Sequence, residues 1–392
     1  IVFGDWSSDV CSSDLHKFNV GMTEAGVLLG IFSVAGLVGS MVGGALADKL
    51  GRKCMVLFGL VCSALSSLSM GLVDDLTVFY SLAILVGVLS DVGGPAREAM
   101  IADLLPEEKR ADGFGIMRVI GNLAWVIGPS IGGFLAAKSY LILFILDAVM
   151  SLTTAVIVYL LIPETLPQSA EGQRSQSVLD TLVGYRLVLK DRLYVAFALA
   201  SMLMLLAYQQ LYSTLSVFLR DVHAIPEQGY GFLMSVNAGA VVLLQFWFTR
   251  KTRPYPPMLM MALGSLFYLI GFSMFGFVSA YPLFLFATFI VTVGEMIVVP
   301  ISQALAASFA PDDMRGRYMA FYSLSWAIPS TVGAWLAGLI MDNYNPNWVW
   351  YGCGVIEALA VAGFCLLHAK MTARETARAV KDKGAAMVAF DV

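Results

Sequence analysis

The chain has 392 residues, of which 58% are hydrophobic and 13% charged, with a formal net charge of −4. Soluble domains carry about 25% charged residues, so this composition excludes an ordinary soluble enzyme and points to a chain that crosses a membrane many times. Cys11, Cys54, Cys62, Cys353 and Cys365 form no C-x-x-C pair, and the 3 histidines are too scattered for a zinc site. No G-x-x-x-x-G-K-[ST] loop is present, so nothing supports an ATP-driven pump, and neither a cofactor nor a nucleic-acid partner is expected.

Residues 1–22 read differently from the rest: polar, with Ser-Ser-Asp written twice, and with neither the basic start nor the apolar stretch of a signal peptide. They look like translated adapter sequence standing where a first helix is expected. Apolar runs long enough for a hydrocarbon core of about 30 Å then follow. Eleven are predicted, at 25–47, 54–73, 77–104, 113–137, 140–162, 193–219, 229–249, 257–279, 281–309, 316–341 and 347–369. Alternate connections hold 19 lysines and arginines against 3 (Lys17, Lys138 and Arg220) on the opposite side. The basic side is expected to be cytoplasmic, and the tail 370–392 lies on it.

The connection 163–192 divides residues 23–162 from 193–369, five runs from six. A shift of 205 places superposes Pro95 on Pro300, Ala102 on Ala307, Pro106 on Pro311, Arg110 on Arg315 and Gly128 on Gly333. The turn Pro-acid-acid-x-Arg is thus written twice with the same topology. The expectation is an all-α membrane protein of two pseudosymmetric helical bundles, with 11 spans present of an expected 12.

One polar turn stands out, Gly44-Ala45-Leu46-Ala47-Asp48-Lys49-Leu50-Gly51-Arg52-Lys53, between two span-length runs. Gly44 permits close helix approach, Gly51 a reversal, and Asp48 is placed to cap a neighbouring helix or to pair with an arginine. The stretch resembles the signature between the second and third helices of the major facilitator superfamily. That resemblance implies the major facilitator fold and transport by alternating access. It also implies a cytoplasmic latch made by Gly44, Asp48, Gly51, Arg52 and Lys53 with Asp103.

Gly128-Pro129-Ser130-Ile131-Gly132-Gly133 resembles the antiporter motif of the same superfamily, with Ala124 where a leading glycine is usual. The resemblance makes Gly128, Pro129, Gly132 and Gly133 a hinge; a small-residue packing face is the other reading. Ionisable groups inside spans mark function or need a partner. Asp91, Arg97, Glu98, Asp147, Glu295 and Glu357 are such groups, and the resemblance puts Asp91 and Glu295 on cavity-lining helices. Tyr208 and Tyr212 share a helix face beside Gln209, which suits an amphipathic cavity for small organic molecules. Trp348 and Trp350 read as interface anchors.

The expected function is secondary transport of a small organic molecule across the cell membrane, driven by an ion gradient and resembling drug–proton antiport. A metabolite symporter or uniporter, and a non-transporting receptor or scaffold, are the alternatives. The partners expected are the substrate and the lipid bilayer; the oligomeric state is open.

Overall fold

A computed structural model describes residues 22–73, 76–90, 92–136, 140–166 and 184–390. Each predicted apolar run falls on helix over most of its length. The first five runs become α1 (Met22–Leu50), α2 (Arg52–Leu72), α3 (Leu76–Ser90) with α4 (Gly94–Leu104), α5 (Glu107–Ala136) and α6 (Tyr140–Leu161). A short helix in the connection, α7 (Tyr185–Lys190), leads to α8 (Arg192–Tyr208), α9 (Gln210–Ser213) and α10 (Leu215–His223). Then come α11 (Glu227–Thr252), α12 (Pro257–Phe277), α13 (Tyr281–Phe309), α14 (Arg315–Asn343) and α15 (Asn347–Phe390). Among the described residues, eight stretches are long and apolar enough by themselves to cross a membrane.

Two runs expected as single spans are broken. The run 77–104 stops at Ser90 and restarts at Gly94 with Pro95 in its first turn. Proline lacks the N–H that a helix interior uses and is suited to a first turn, where no such donor is needed, so the new helix starts around it. The run 193–219 is interrupted at Gln209 and again at Thr214. There the Thr214 hydroxyl donates to Gln210 Oε1 at 2.6 Å and the Ser213 hydroxyl to the Gln209 carbonyl at 3.0 Å. Side chains that bond locally in this way compete with the regular helical ladder. Conversely, the stretch after residue 370, expected as a separate tail, continues α15 as far as Phe390. Its Ala, Lys, Glu and Arg residues are good helix formers.

Packing is local within each half of the chain. α2 lies along α6, and α1 against α3 and α4; α12 is sandwiched by α13 and α15, and α8 by α14 and α15. The halves meet where α14 crosses α1 and where α5 lies on α11 and α13. The larger apolar cluster fills the second half, around Phe197, Tyr268, Phe272, Phe284 and Trp350. Trp350 therefore corrects the expectation of an interface anchor: it is fully buried, its ring 5.2 Å from Phe218 and 5.1 Å from Phe275, whereas Trp348 is exposed. Leu160, Leu161, Leu243 and Phe277 point outward, as a chain surrounded by lipid requires.

Candidate functional site

Two polar clusters are built where the halves touch. The first grows from the Asp48 turn. Gly51 takes a φ of 110°, open to glycine and strained for other residues, and so lets α2 start one residue after α1 ends. Asp48 is fully buried and faces the first turn of α14. Its carboxylate accepts the backbone N–H of Gly316 at 2.8 Å and of Arg317 at 3.0 Å, with Arg317 Nε 3.5 Å away. An acid there satisfies amides that have no helical partner and meets the positive end of the helix dipole. The contact needs two glycines back to back. A Cβ on Gly44 would come 2.6 Å from the Gly316 carbonyl oxygen, and one on Gly316 2.5 Å from that of Gly44.

Arg52 is also fully buried, pairs with Asp103 and donates to the Asp312 carbonyl at 2.5 Å. Asp103 pairs in addition with Arg315, whose other nitrogen reaches Asp312 at 2.7 Å. Asp103 is thus shared by an arginine from each half. Lys53 turns outward and donates to the Tyr159 carbonyl at 2.7 Å. The linker joins in through Glu164, whose carboxylate accepts the amides of Arg52 at 2.8 Å and Lys53 at 3.2 Å.

The written repeat is also a repeat in space. Arg110 Nε donates to the Ala102 carbonyl at 2.9 Å, and Arg315 Nε, 205 places on, to that of Ala307 at 3.4 Å. The amide of Lys109 reaches the Pro106 carbonyl at 2.8 Å, and that of Met314 the Pro311 carbonyl at 3.0 Å.

The second cluster centres on Glu295 of α13, which is fully buried. It is ion-paired with Arg118 of α5. Its Oε1 accepts the Tyr208 hydroxyl at 2.7 Å and its Oε2 accepts Asn237 Nδ2 at 2.7 Å. Tyr208 and Tyr212 hydroxyls lie 3.0 Å apart, and Arg118 Nη2 donates to Tyr208 at 3.0 Å. Tyr208 also stacks on Tyr268 at 5.6 Å and meets Trp326 edge-on at 5.9 Å. A charge pair from opposite halves, with both carboxylate oxygens bonded and aromatic faces around it, can hold a proton or a cation and can grip an organic ring.

The major facilitator superfamily model matches residues 12–334 and 260–390. The chain belongs to the major facilitator superfamily. It is 27% identical over 385 residues to a "Na(+), Li(+), K(+)/H(+) antiporter" of Planococcus maritimus, covering 90% of this chain and 88% of that one. It is 24% identical to the quinolone resistance protein NorA of Staphylococcus aureus, covering 86% of each. In fold it is similar to the human organic anion transporter MFSD10, at a TM-score of 0.75 with 17% identity, covering 93% of this chain and 90% of that one. A bacterial homologue of the iron transporter ferroportin in an outward-facing state gives a TM-score of 0.73 with 16% identity, covering 93% and 96%. The chain is therefore a multi-pass membrane transporter of this superfamily and not an enzyme.

The structure brings together the sequence-predicted Gly44, Asp48, Arg52 and Asp103 in one cluster, and Tyr208, Tyr212 and Glu295 in the other. Gln209 contributes backbone atoms to the helix break beside that second cluster. Gly128, Pro129, Gly132 and Gly133 lie inside α5, which runs unbroken through them. Asp91 lies outside the described residues. Asp147 takes a hydrogen bond from the Ser67 hydroxyl, and Arg97 is exposed. Sequence reasoning missed Arg118 as a site residue. Its signal was there: an arginine within or at the edge of a transmembrane run needs an acid, and Glu295 was the buried acid in want of a base. It also passed over Glu164, Asp312 and Arg315 as partners in the first cluster.

Proposed function

We propose that this chain is a proton-coupled exporter of small organic molecules in the cell membrane, with the Asp48 turn and the C-terminus cytoplasmic. The observation that carries this reading is the buried Arg118–Glu295 pair between the two halves, with Tyr208 and Asn237 bonded to the carboxylate. The eleven apolar runs count as spans of two bundles divided at 163–192, and basic residues place their connections.

Protonation of Glu295 removes the negative charge that holds Arg118 and weakens the bonds from Tyr208 and Asn237, which are strongest to an ionised acceptor. The cluster that joins the halves then loosens. Deprotonation restores an anion among the aromatic faces of Tyr208, Tyr268 and Trp326, a setting for an organic cation. The Asp48 cluster acts at the cytoplasmic end. Its contacts exist only while α1 and α14 are together there, so they favour the outward-facing arrangement. Gly128, Pro129, Gly132 and Gly133 supply the small-residue seam along which α5 moves.

The test is flux in proteoliposomes with an imposed pH gradient. Expulsion of a fluorescent organic cation against proton entry, abolished in Glu295→Gln, supports the reading. Uptake in the direction of proton flow makes the chain a symporter, flux indifferent to pH makes it a uniporter, and no flux with any substrate leaves a receptor or scaffold. Proton movement driven by sodium alone favours alkali-cation exchange, the activity for which the relative from Planococcus maritimus is named.

A further inference from the structure

We propose that Glu357 is a second proton-binding site, buried inside the packed helices of the C-terminal half and separate from the Arg118–Glu295 pair. Glu357 lies in α15 and is fully buried, and neither of its carboxyl oxygens has a hydrogen-bond partner. The hydroxyls of Ser265 and Tyr268, both on α12, are buried without partners as well. Ser265 lies beside the carboxyl, Tyr268 is near it, and Cys353 stands one helical turn before it on α15. Four polar side chains, on the two helices of the most extensive packed pair in the molecule, thus gather in an otherwise apolar interior.

An ionised carboxylate held alone in such a place is costly, and three things relieve it: a cationic side chain, a metal ion or a proton. Among the described side chains, no cation faces Glu357 from α12 or from its own helix. The other helices packed on α15 are α8, with Arg192, Tyr194 and Tyr208, and α14, with Arg315, Arg317, Tyr318, Tyr322 and Asp342, and none of these groups acts on this carboxyl. An alkali ion has to exchange its hydration shell for a full ring of oxygens, and Glu357, Ser265 and Tyr268 supply too few. A proton needs only one oxygen. The resulting acid can donate to one neighbouring hydroxyl and accept from another, which satisfies several lone polar atoms at once.

The proton has a consequence for the central pair. Tyr268 stacks on Tyr208, and Tyr208 donates to Glu295. Ionised, Glu357 would set a second negative charge behind that tyrosine pair and compete for the field of Arg118. Protonated, it leaves the charge of Arg118 matched by Glu295 alone.

Infrared spectroscopy of the purified full chain tests the proposal through the carbonyl stretch of a protonated carboxylic acid. The expected spectrum near neutral pH contains such a band that persists in Glu295→Gln, disappears in Glu357→Gln and is unchanged by added sodium. A folded Glu357→Gln with the band intact overturns the proposal. Loss of the band on adding sodium also overturns it and makes the site one for an alkali ion. Should Glu357→Gln fail to fold, Ser265→Ala serves instead: the band shifts in frequency if it belongs to Glu357 and stays in place if it does not.

Discussion

Asp48 and Arg317 face each other across the two halves at 3.5 Å, and 205 places away the same relationship returns with its charges exchanged, as Arg253 and Asp112 at 3.6 Å. Position 48 corresponds to 253 and position 112 to 317. The copies differ in burial: Asp48 and Arg317 are 0% and 5% exposed, Arg253 and Asp112 43% and 39%. Only the buried copy includes a carboxylate bonded to two helix-end amides. Pseudosymmetry supplied two sites, and burial made one of them the stronger.

That asymmetry gives a first prediction. Asp48→Ala removes a buried carboxylate bonded to two helix-end amides; even one net hydrogen bond to a charged group is worth about 1.5–3 kcal/mol, a shift of roughly 10- to 150-fold in the population closed at this end. Arg253→Ala removes an exposed pair worth about 0–1 kcal/mol. Labelling of a cysteine placed on α1 inside the Asp48 end should accelerate markedly in Asp48→Ala and barely in Arg253→Ala. Equal acceleration in both would contradict the ranking.

Asp103 holds Arg52 and Arg315 at once, so its removal leaves two buried arginines facing each other. Breaking a buried pair from one side costs about 3–5 kcal/mol. Asp103→Asn should lower the melting temperature and the transport rate more than Arg52→Gln does. The double variant Asp103→Asn with Arg52→Gln should recover part of the melting temperature, because one uncompensated charge has gone. A double variant no more stable than Asp103→Asn alone would show that the arginines do not share the acid.

The Gly44–Gly316 approach admits no side chain. Gly316→Ala should push α1 and α14 apart and disturb the Asp48 bonds without removing any charge. Transport should fall about as far as in Asp48→Ala while the melting temperature changes less than in Asp103→Asn. Wild-type flux from Gly316→Ala would mean that the halves need not approach this closely in the working cycle.

At the central cluster, Glu295→Gln leaves Arg118 charged and without its partner, whereas Tyr208→Phe removes one hydrogen bond. Net hydrogen bonds to charged groups are worth about 1.5–3 kcal/mol. Glu295→Gln should abolish pH-driven flux, and Tyr208→Phe should reduce it by roughly ten- to a hundredfold. Arg118→Lys should restore little, since a point-charged ammonium cannot reach both the carboxylate and the Tyr208 hydroxyl as a guanidinium does. Flux assays on the three variants at a fixed pH gradient decide this.

Much of the architecture was written in one dimension. Span-length apolar runs force helices in a bilayer, and the turn written twice 205 places apart, at Pro106 to Arg110 and Pro311 to Arg315, makes matching carbonyl bonds in both places. The Asp48 turn was legible because glycine, acid and base must stand at fixed spacing for a helix to reverse and another to be capped. The breaks before Pro95 and at Gln209 were harder to read, since hydropathy averages over a window and passes across a broken helix without a dip.

What sequence alone determined, then, was that the apolar runs are helical, that one turn is written twice 205 places apart, and which residues carry charge into apolar surroundings. What only the tertiary structure decided was partnership. Arg118 and Glu295 are 177 positions apart, Asp48 and Gly316 268 apart, and Asp103 and Arg315 212 apart. A buried charge states that it needs a counter-charge but not which one, because that choice is made by how helices cross. The same packing buried Trp350 and left Trp348 exposed, although the two read alike in the sequence.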